Sequence, residues 1–362
     1  MSTETVEVAV VGGGQAGLAM SWYLRRHGVD HVVLDAAAEV GAAWRSRWES
    51  LRLFTPARHD GLPGMPFPGN GDRYPGKDEV ADYLRAYAAD LPVRLDTRVR
   101  RLSRDGDGYV LDTSQGTVRA DQVVVATGPF QTPRRPAFVT RLDAAVTQQH
   151  SHDYRRPDAL PPGPVLVVGD GNSGRQIAAE LAATRLVDLA TAGGATVVPQ
   201  RLLGQDLFWW LTRLGLLTTP GTSRIGRRMR DRGELVVGSP DRALRSAGVR
   251  LRPRLVGADG RRFRFADGSD LVVDTVVWAT GYQPDHSFLD VPEVLDGGRL
   301  VHDRGVTPAP GLYVLGLPWL SSRGSALLGF VGRDAVRLAD RIVATRRIRR
   351  CDAGDRTLEP HP

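Results

Sequence analysis

Six glycines are the residues most plainly spaced for chemistry. Val6–Leu18 reads VEVAVVGGGQAGL, and Pro164–Ile177 reads PVLVVGDGNSGRQI. Each is a short β-branched run, then G-x-G-x-x-G, then a helix-forming run, with glycines at 12, 14 and 17 and at 169, 171 and 174. The first glycine allows the tight strand-to-helix turn, the second lets backbone approach a pyrophosphate, and the third lets helix pack on strand. The anion then rests on free N–H groups at the positive end of a helix. After the first motif a helix over Ala16–His27 and a strand over His31–Leu34 lead to Asp35, the acid expected to accept from ribose hydroxyls.

These elements recur. QVVVATG (Gln122–Gly128) and TVVWATG (Thr275–Gly281) follow the two fingerprints at 116 and 112 residues, counted from Gly12 and Gly169. Two such units predict an α/β fold of two Rossmann-like dinucleotide-binding domains. The second unit has no acid at the tip of its strand Val187–Thr191, where a carboxylate would repel a 2′-phosphate, so NADPH is expected there, with NADH possible. Arg201 is the candidate for the 2′-phosphate, and Arg185 stands just before the strand.

The proline-rich stretch 129–164 reads as a crossing between units. The first unit is expected over 1–150 and 285–345, the second inserted over 160–284, and 346–362 as a polar, mobile tail. Trp44–Gly71 reads as an ordered loop of the kind that carries ligand contacts. In Leu203–Leu217, apolar residues recur at helical spacing, and five arginines follow between Ser223 and Gly233. Packing or a homodimer contact, a lid, and a membrane surface are all open for this segment.

Composition narrows the classes. Lys77 is the single lysine among 48 basic residues, and the arginines are scattered among 41 acids, whereas a nucleic-acid surface would show a concentrated stripe. Cys351 is the one cysteine, so a redox cysteine pair and a thiolate metal cluster are excluded. No apolar run approaches a membrane span, and the first residues lack a signal peptide's basic region, so a cytoplasmic protein is expected.

From Val6 to Ile342 the chain resembles the two-dinucleotide-domain flavin-dependent monooxygenases, the flavin-containing and Baeyer–Villiger enzymes and their auxin-forming plant relatives. The motifs that carry the likeness are the two fingerprints, GAAW (Gly41–Trp44), the two ATG ends, GLYVLG (Gly311–Gly316) and RGSALLG (Arg323–Gly329). The resemblance implies FAD at Gly12, Gly14, Gly17, Asp35, Trp44, Ala126, Thr127, Gly128, Gly316 and Leu328. It implies NADPH at Gly169, Gly171, Ser173, Gly174, Ala279, Thr280 and Gly281, in a domain inserted into the FAD domain. It further implies that reduced flavin and molecular oxygen form a C4a-(hydro)peroxyflavin that oxygenates a small organic substrate, without a metal.

The family's linker signature F-x-G-x-x-x-H-x-x-x-[Y/F/W] keeps its last two positions, as His150 and Tyr154, which are candidates for coupling the units. Ala144 and Val146 replace the Phe and Gly. That departure keeps open a flavin-dependent NAD(P)H oxidoreductase or oxidase without oxygen insertion, and a cofactor-binding redox sensor with negligible turnover. Disulfide reductases of the same plan need the cysteine pair that this chain lacks.

Overall fold

The computed structural model describes residues 3–193, 196–233 and 235–356, with side chains through residue 347. Cys351 and the end of the segment read as a tail lie outside the described side chains. Two parallel β–α–β starts dominate, each built from a strand with four or more buried apolar residues that need cover on both faces. Thr3–Val11 runs into helix Gln15–Arg26, and Val165–Val168 into helix Asn172–Ala182.

The first strand lies between Gly116–Val125 and His31–Leu34, parallel to both. Gly116–Val125 continues into antiparallel Gly108–Thr113 and Val99–Asp105 and also pairs in parallel with Leu312–Val314, near the end of the chain. Val165–Val168 lies between Thr275–Trp278 and Val187–Ala190 in a second, five-stranded parallel sheet with Val249–Arg252 and Thr147–His150 at its edges. Alternation along the strands divides the core. Val165, Val167 and Val277 face the large cluster shared with the first sheet, while Leu166, Val168, Val276 and Trp278 face a second cluster with Phe263 and Phe265. Fully burying an aromatic or branched side chain stabilises by roughly 1.5–3 kcal/mol, so these faces fix the registers.

Thr147–His150 changes the expected boundary. The sequence places everything up to 150 in the first unit, but TQQH is the edge strand beside Thr275–Trp278. Its polar residues gave no strand signal; neighbouring backbone imposes the extended form. The chain crosses earlier, where Thr132–Pro133 pairs antiparallel with Tyr282–Gln283. Arg134 N–H donates to Gly281 O at 2.9 Å, so outgoing and returning connections are tied together.

Leu203–Leu217 is not one helix. Arg201–Leu202 and Gln205–Asp206 form a hairpin, and a short helix covers Leu207–Arg213. Leu203 itself has φ 50° and is 83% exposed, and Gly204 and Gly215 also have positive φ, so the apolar spacing is cut at both ends. The arginine-rich stretch forms helix Arg224–Asp231. Helix Gly332–Arg356 packs along Gln15–Arg26 and takes in the first part of 346–362. No helix among the described residues is long and apolar enough to cross a membrane.

Candidate functional site

The two fingerprints have the same backbone. Gly12 has φ 107°, and a Cβ there would stand 2.7 Å from Ala126 O; Gly169 has φ 110°, and a Cβ there would press still closer on Ala279 O. Each fingerprint turn is therefore seated on its own ATG strand end. A Cβ on Gly17 would collide with Gly12 O, and one on Gly174 with Gly169 O. Gly14 and Gly171 differ from these four, since a Cβ on either meets nothing within 4 Å. Both are extended N-caps without a side-chain cap, and neither helix has an acid in its first turn. Each helix N-terminus thus faces open space with unsatisfied N–H groups, which fits the pyrophosphate of a bound dinucleotide. Ser173 lies in the first turn of the second helix. Gly128 and Gly281, at φ 72° and 79°, also meet no neighbour.

Around the first cradle, Asp35 closes the gap between strands. Its Oδ2 accepts from Gly13 N–H at 2.5 Å and its Oδ1 from Ala37 N–H at 2.8 Å. Trp44 donates from Nε1 to Gln15 Oε1 at 3.3 Å, fastening the first helical residue to the following loop. Gly316 reaches the same helix, where its Cβ would stand 2.7 Å from Ala16 Cβ. Leu328 is buried in the large core cluster. These positions surround the first cradle and could hold FAD.

Around the second cradle the chemistry changes. The strand tip carries Thr191, as expected from the missing acid, and its N–H bonds Arg252 O as Asp35 N–H bonds Arg94 O. Asp170, inside the fingerprint, directs its Oδ1 to Ala192 N–H at 3.3 Å. Arg201 is exposed in the hairpin and donates to Gly204 O. Arg185 donates to Pro157 O and Pro161 O at the entrance of its strand, the end opposite the tip.

His150 is fully buried at the end of its edge strand. Its Nε2 donates to Gly281 O at 3.1 Å and its Nδ1 accepts from His152 N–H at 3.1 Å, which fixes a neutral tautomer. Burial pushes its pKa down to about 4. Its ring meets Tyr282 edge-on, and the Tyr282 hydroxyl accepts from Arg47 Nη1 at 2.5 Å. Tyr154 donates to Glu180 Oε2 at 2.9 Å, and burial raises its pKa. The structure thus brings His150 against the second ATG turn and Tyr154 against the second helix. Val146 packs into the apolar cluster with Trp278, where the signature's glycine would leave space.

A polar cluster went unread in the sequence. Asp60 is fully buried; Thr55 Oγ1 donates to its Oδ1 at 2.5 Å, and its Oδ2 has no partner. Burial raises this carboxyl to about 7, with Asp206 adding like charge. Asp206 accepts from Phe208 N–H, from Gln200 Nε2 at 3.1 Å and from Tyr74 at 2.5 Å. Burial, and then Asp206, pushes the Tyr74 phenol up to about 12. Gln200 also donates to Phe54 O at 2.7 Å, and Phe54 stacks on Phe208 at 5.8 Å. The cluster fastens the hairpin and its helix over the 54–74 loop. Leu327 and Phe330 complete the apolar wall, and Gly329 lies flush on the His59 carbonyl, next to Asp60. Only proximity in space joins residues more than 130 positions apart, so no local signal could have found it.

A family model for pyridine nucleotide-disulphide oxidoreductases matches residues 9–197. A CzcO-like oxidoreductase of Geobacillus kaustophilus, named as uncharacterized, is 42% identical over 342 residues, 93% of this chain and 98% of that protein. The indole-3-pyruvate monooxygenase YUCCA1 of Oryza sativa is 29% identical, covering 91% of this chain and 89% of its own length. Among solved structures, the flavin-containing monooxygenase of Stenotrophomonas maltophilia matches with a TM-score of 0.79 at 30% identity, over 94% of this chain and 99% of that one.

Proposed function

The chain belongs to the pyridine nucleotide-disulphide oxidoreductase family and to its flavin-containing monooxygenase-like members, and from that premise we propose an FAD-dependent monooxygenase that consumes a nicotinamide dinucleotide and oxygenates a small organic molecule. One observation carries the reading: the doubled cradle in which Gly14 and Gly171 alone of the six fingerprint glycines face open space at an uncapped helix start or within it. The single cysteine leaves no intrachain thiol pair for disulfide chemistry.

When bound, FAD supplies hydride acceptance and oxygen activation. The protein's part is binding, orientation and dryness. The first helix start and Asp35 hold the flavin dinucleotide, and Gly171 and Ser173 hold the nicotinamide dinucleotide. His150, neutral and fixed on Gly281 O, positions the second ATG turn. Arg47 and Tyr282 tie that turn to the loop after Trp44. The apolar wall of Phe54, Phe208, Leu327 and Phe330 excludes water along the seam between the units.

The test is to reduce the FAD-loaded protein anaerobically with a nicotinamide dinucleotide and admit oxygen while recording flavin absorbance. The expected result is one non-covalent FAD per chain, delayed recovery of the oxidised spectrum, and less than one hydrogen peroxide per nicotinamide when an amine, sulfide or ketone is oxygenated. Immediate recovery with stoichiometric peroxide would make the protein an oxidase. A folded, flavin-free protein that cannot be loaded would overturn the reading.

A further inference from the structure

The registers of the two units allow a residue-by-residue overlay. Val11 pairs with Leu34 as Val168 pairs with Ala190. Gly12 N–H donates to Leu34 O at 2.8 Å, and Gly169 N–H to Ala190 O at 3.0 Å. Asp35 therefore corresponds to Thr191, and Gly13 to Asp170. In the first unit a carboxylate leaves the strand tip and receives the fingerprint's Gly13 N–H. In the second a carboxylate leaves the fingerprint and receives Ala192 N–H, just past the strand tip. Each carboxylate bridges the same two backbone segments, entered from opposite sides.

We infer that Asp170 restores, from within the fingerprint, the ribose-binding acid that the second strand tip lacks, and so makes the second site selective for NADH over NADPH. The inference rests on the proposed binding of a nicotinamide dinucleotide at this unit. With pyrophosphate over Gly171, the adenosine ribose lies at the gap between the two strand ends. There a diol would donate to the Asp170 carboxylate, whereas a 2′-phosphate would bring like charge against it. The Asp170 side chain is 11% exposed.

Its surroundings support the assignment. The Arg175 guanidinium lies 3.9 Å from Asp170 Oδ2, but it is committed elsewhere. Nε donates to Asp170 O, and Nη1 donates to Ser239 O at 2.7 Å and Asp241 Oδ1 at 2.8 Å. With its side chain 3% exposed, Arg175 anchors the loop from beneath and offers no face to a 2′-phosphate. It stands where the first unit has Leu18, so the charged support accompanies the displaced acid. The nearer strand-end arginine, Arg252, donates to the fully buried Asp188.

The experiment is calorimetric titration of the FAD-loaded protein with NAD+ and, separately, NADP+, which reads binding without turnover. The wild type is expected to bind NAD+ at least about 10-fold more tightly. Asp170→Asn keeps the shape but removes the charge, and Asp170→Gly gives the second fingerprint the first unit's residue. Both should shift the NAD+/NADP+ ratio toward NADP+ by about 10–100-fold, chiefly through weaker NAD+ binding for Gly and tighter NADP+ binding for Asn. The asparagine variant decides if the glycine variant fails to fold. A wild type that prefers NADP+, or a ratio unchanged in the folded variants, overturns the role of Asp170 and leaves the nucleotide site standing. Binding of neither nucleotide removes the site itself and the inference with it.

Discussion

The first and second fingerprints are one backbone carrying two chemistries. Gly12 and Gly169 share a left-handed φ and a seat on an ATG carbonyl, and Gly17 and Gly174 press equally on those turns. Between these fixed points the side chains diverge: Gly13 against Asp170, Leu18 against Arg175, Asp35 against Thr191. The lesson is that close backbone approach fixes the glycines, while the charge needed by a ligand can be supplied from either wall of the gap.

The largest effects should come from filling the open cradles. Gly14→Leu and Gly171→Leu have ordinary backbone angles and room for a side chain, so both proteins should melt near the wild-type temperature. Gly14→Leu should lose FAD, and Gly171→Leu should keep FAD yet bind nicotinamide dinucleotide about 100-fold more weakly or worse. Flavin content and calorimetry check this; loss of FAD from both would show that the cradles are not separate.

Next come the seats. Gly17→Ala and Gly174→Ala each force a turn off its helix and should cost about 3 kcal/mol or more, read by denaturant unfolding. A well-tolerated Gly174→Ala would show that the second unit is more plastic than the first.

Third is the opposed response to pH. Asp60 has a folded pKa of about 7, above its unfolded value near 3.8, so stability present below pH 4 declines as pH rises through 7. His150 has a folded pKa of about 4, below 6.5, so stability present above 6.5 declines as pH falls toward 4. Asp60→Asn should remove a fall in stability between pH 4 and 7, and His150→Gln an opposing rise between pH 4 and 6.5, each by about 3–4 kcal/mol at most, in melts from pH 4 to 8.5. His150→Gln that leaves the acid limb intact would show that other groups set it.

The smallest effect is expected at Arg201. Its guanidinium is exposed and meets its own hairpin, so Arg201→Ala should change stability by less than about 0.5 kcal/mol and leave the NAD+/NADP+ ratio unaltered. A selective loss of NADP+ would return the 2′-phosphate to Arg201.

Much of the scaffold was legible because four of the six fingerprint glycines, Gly12, Gly17, Gly169 and Gly174, answer a local backbone demand that spacing alone reveals. Asp35 was legible for the same reason. Asp170 was not, because the spacing rule for such an acid points beyond the strand and does not reach inside the glycine motif. The Asp60, Tyr74 and Asp206 cluster was hidden by separation along the chain. The helix expected over Leu203–Leu217 failed because apolar spacing outweighed two glycines that turn the backbone. Strand Thr147–His150 escaped notice because its partner, rather than its own residues, makes it extended.

The strand Leu312–Val314 sets an order of assembly. Its neighbour Gly116–Val125 emerges from a ribosome almost two hundred residues sooner, and the whole five-stranded sheet is made in the interval. The earliest part of the chain is therefore the last to be completed. Val123, Val124 and Val125 must wait with one edge unpaired until the returning strand and helix Gly332–Arg356 arrive. An exposed β-branched edge is a site of mispairing. A truncation before Leu312 would leave the nascent chain in that state, with a finished second sheet suspended from an unfinished first.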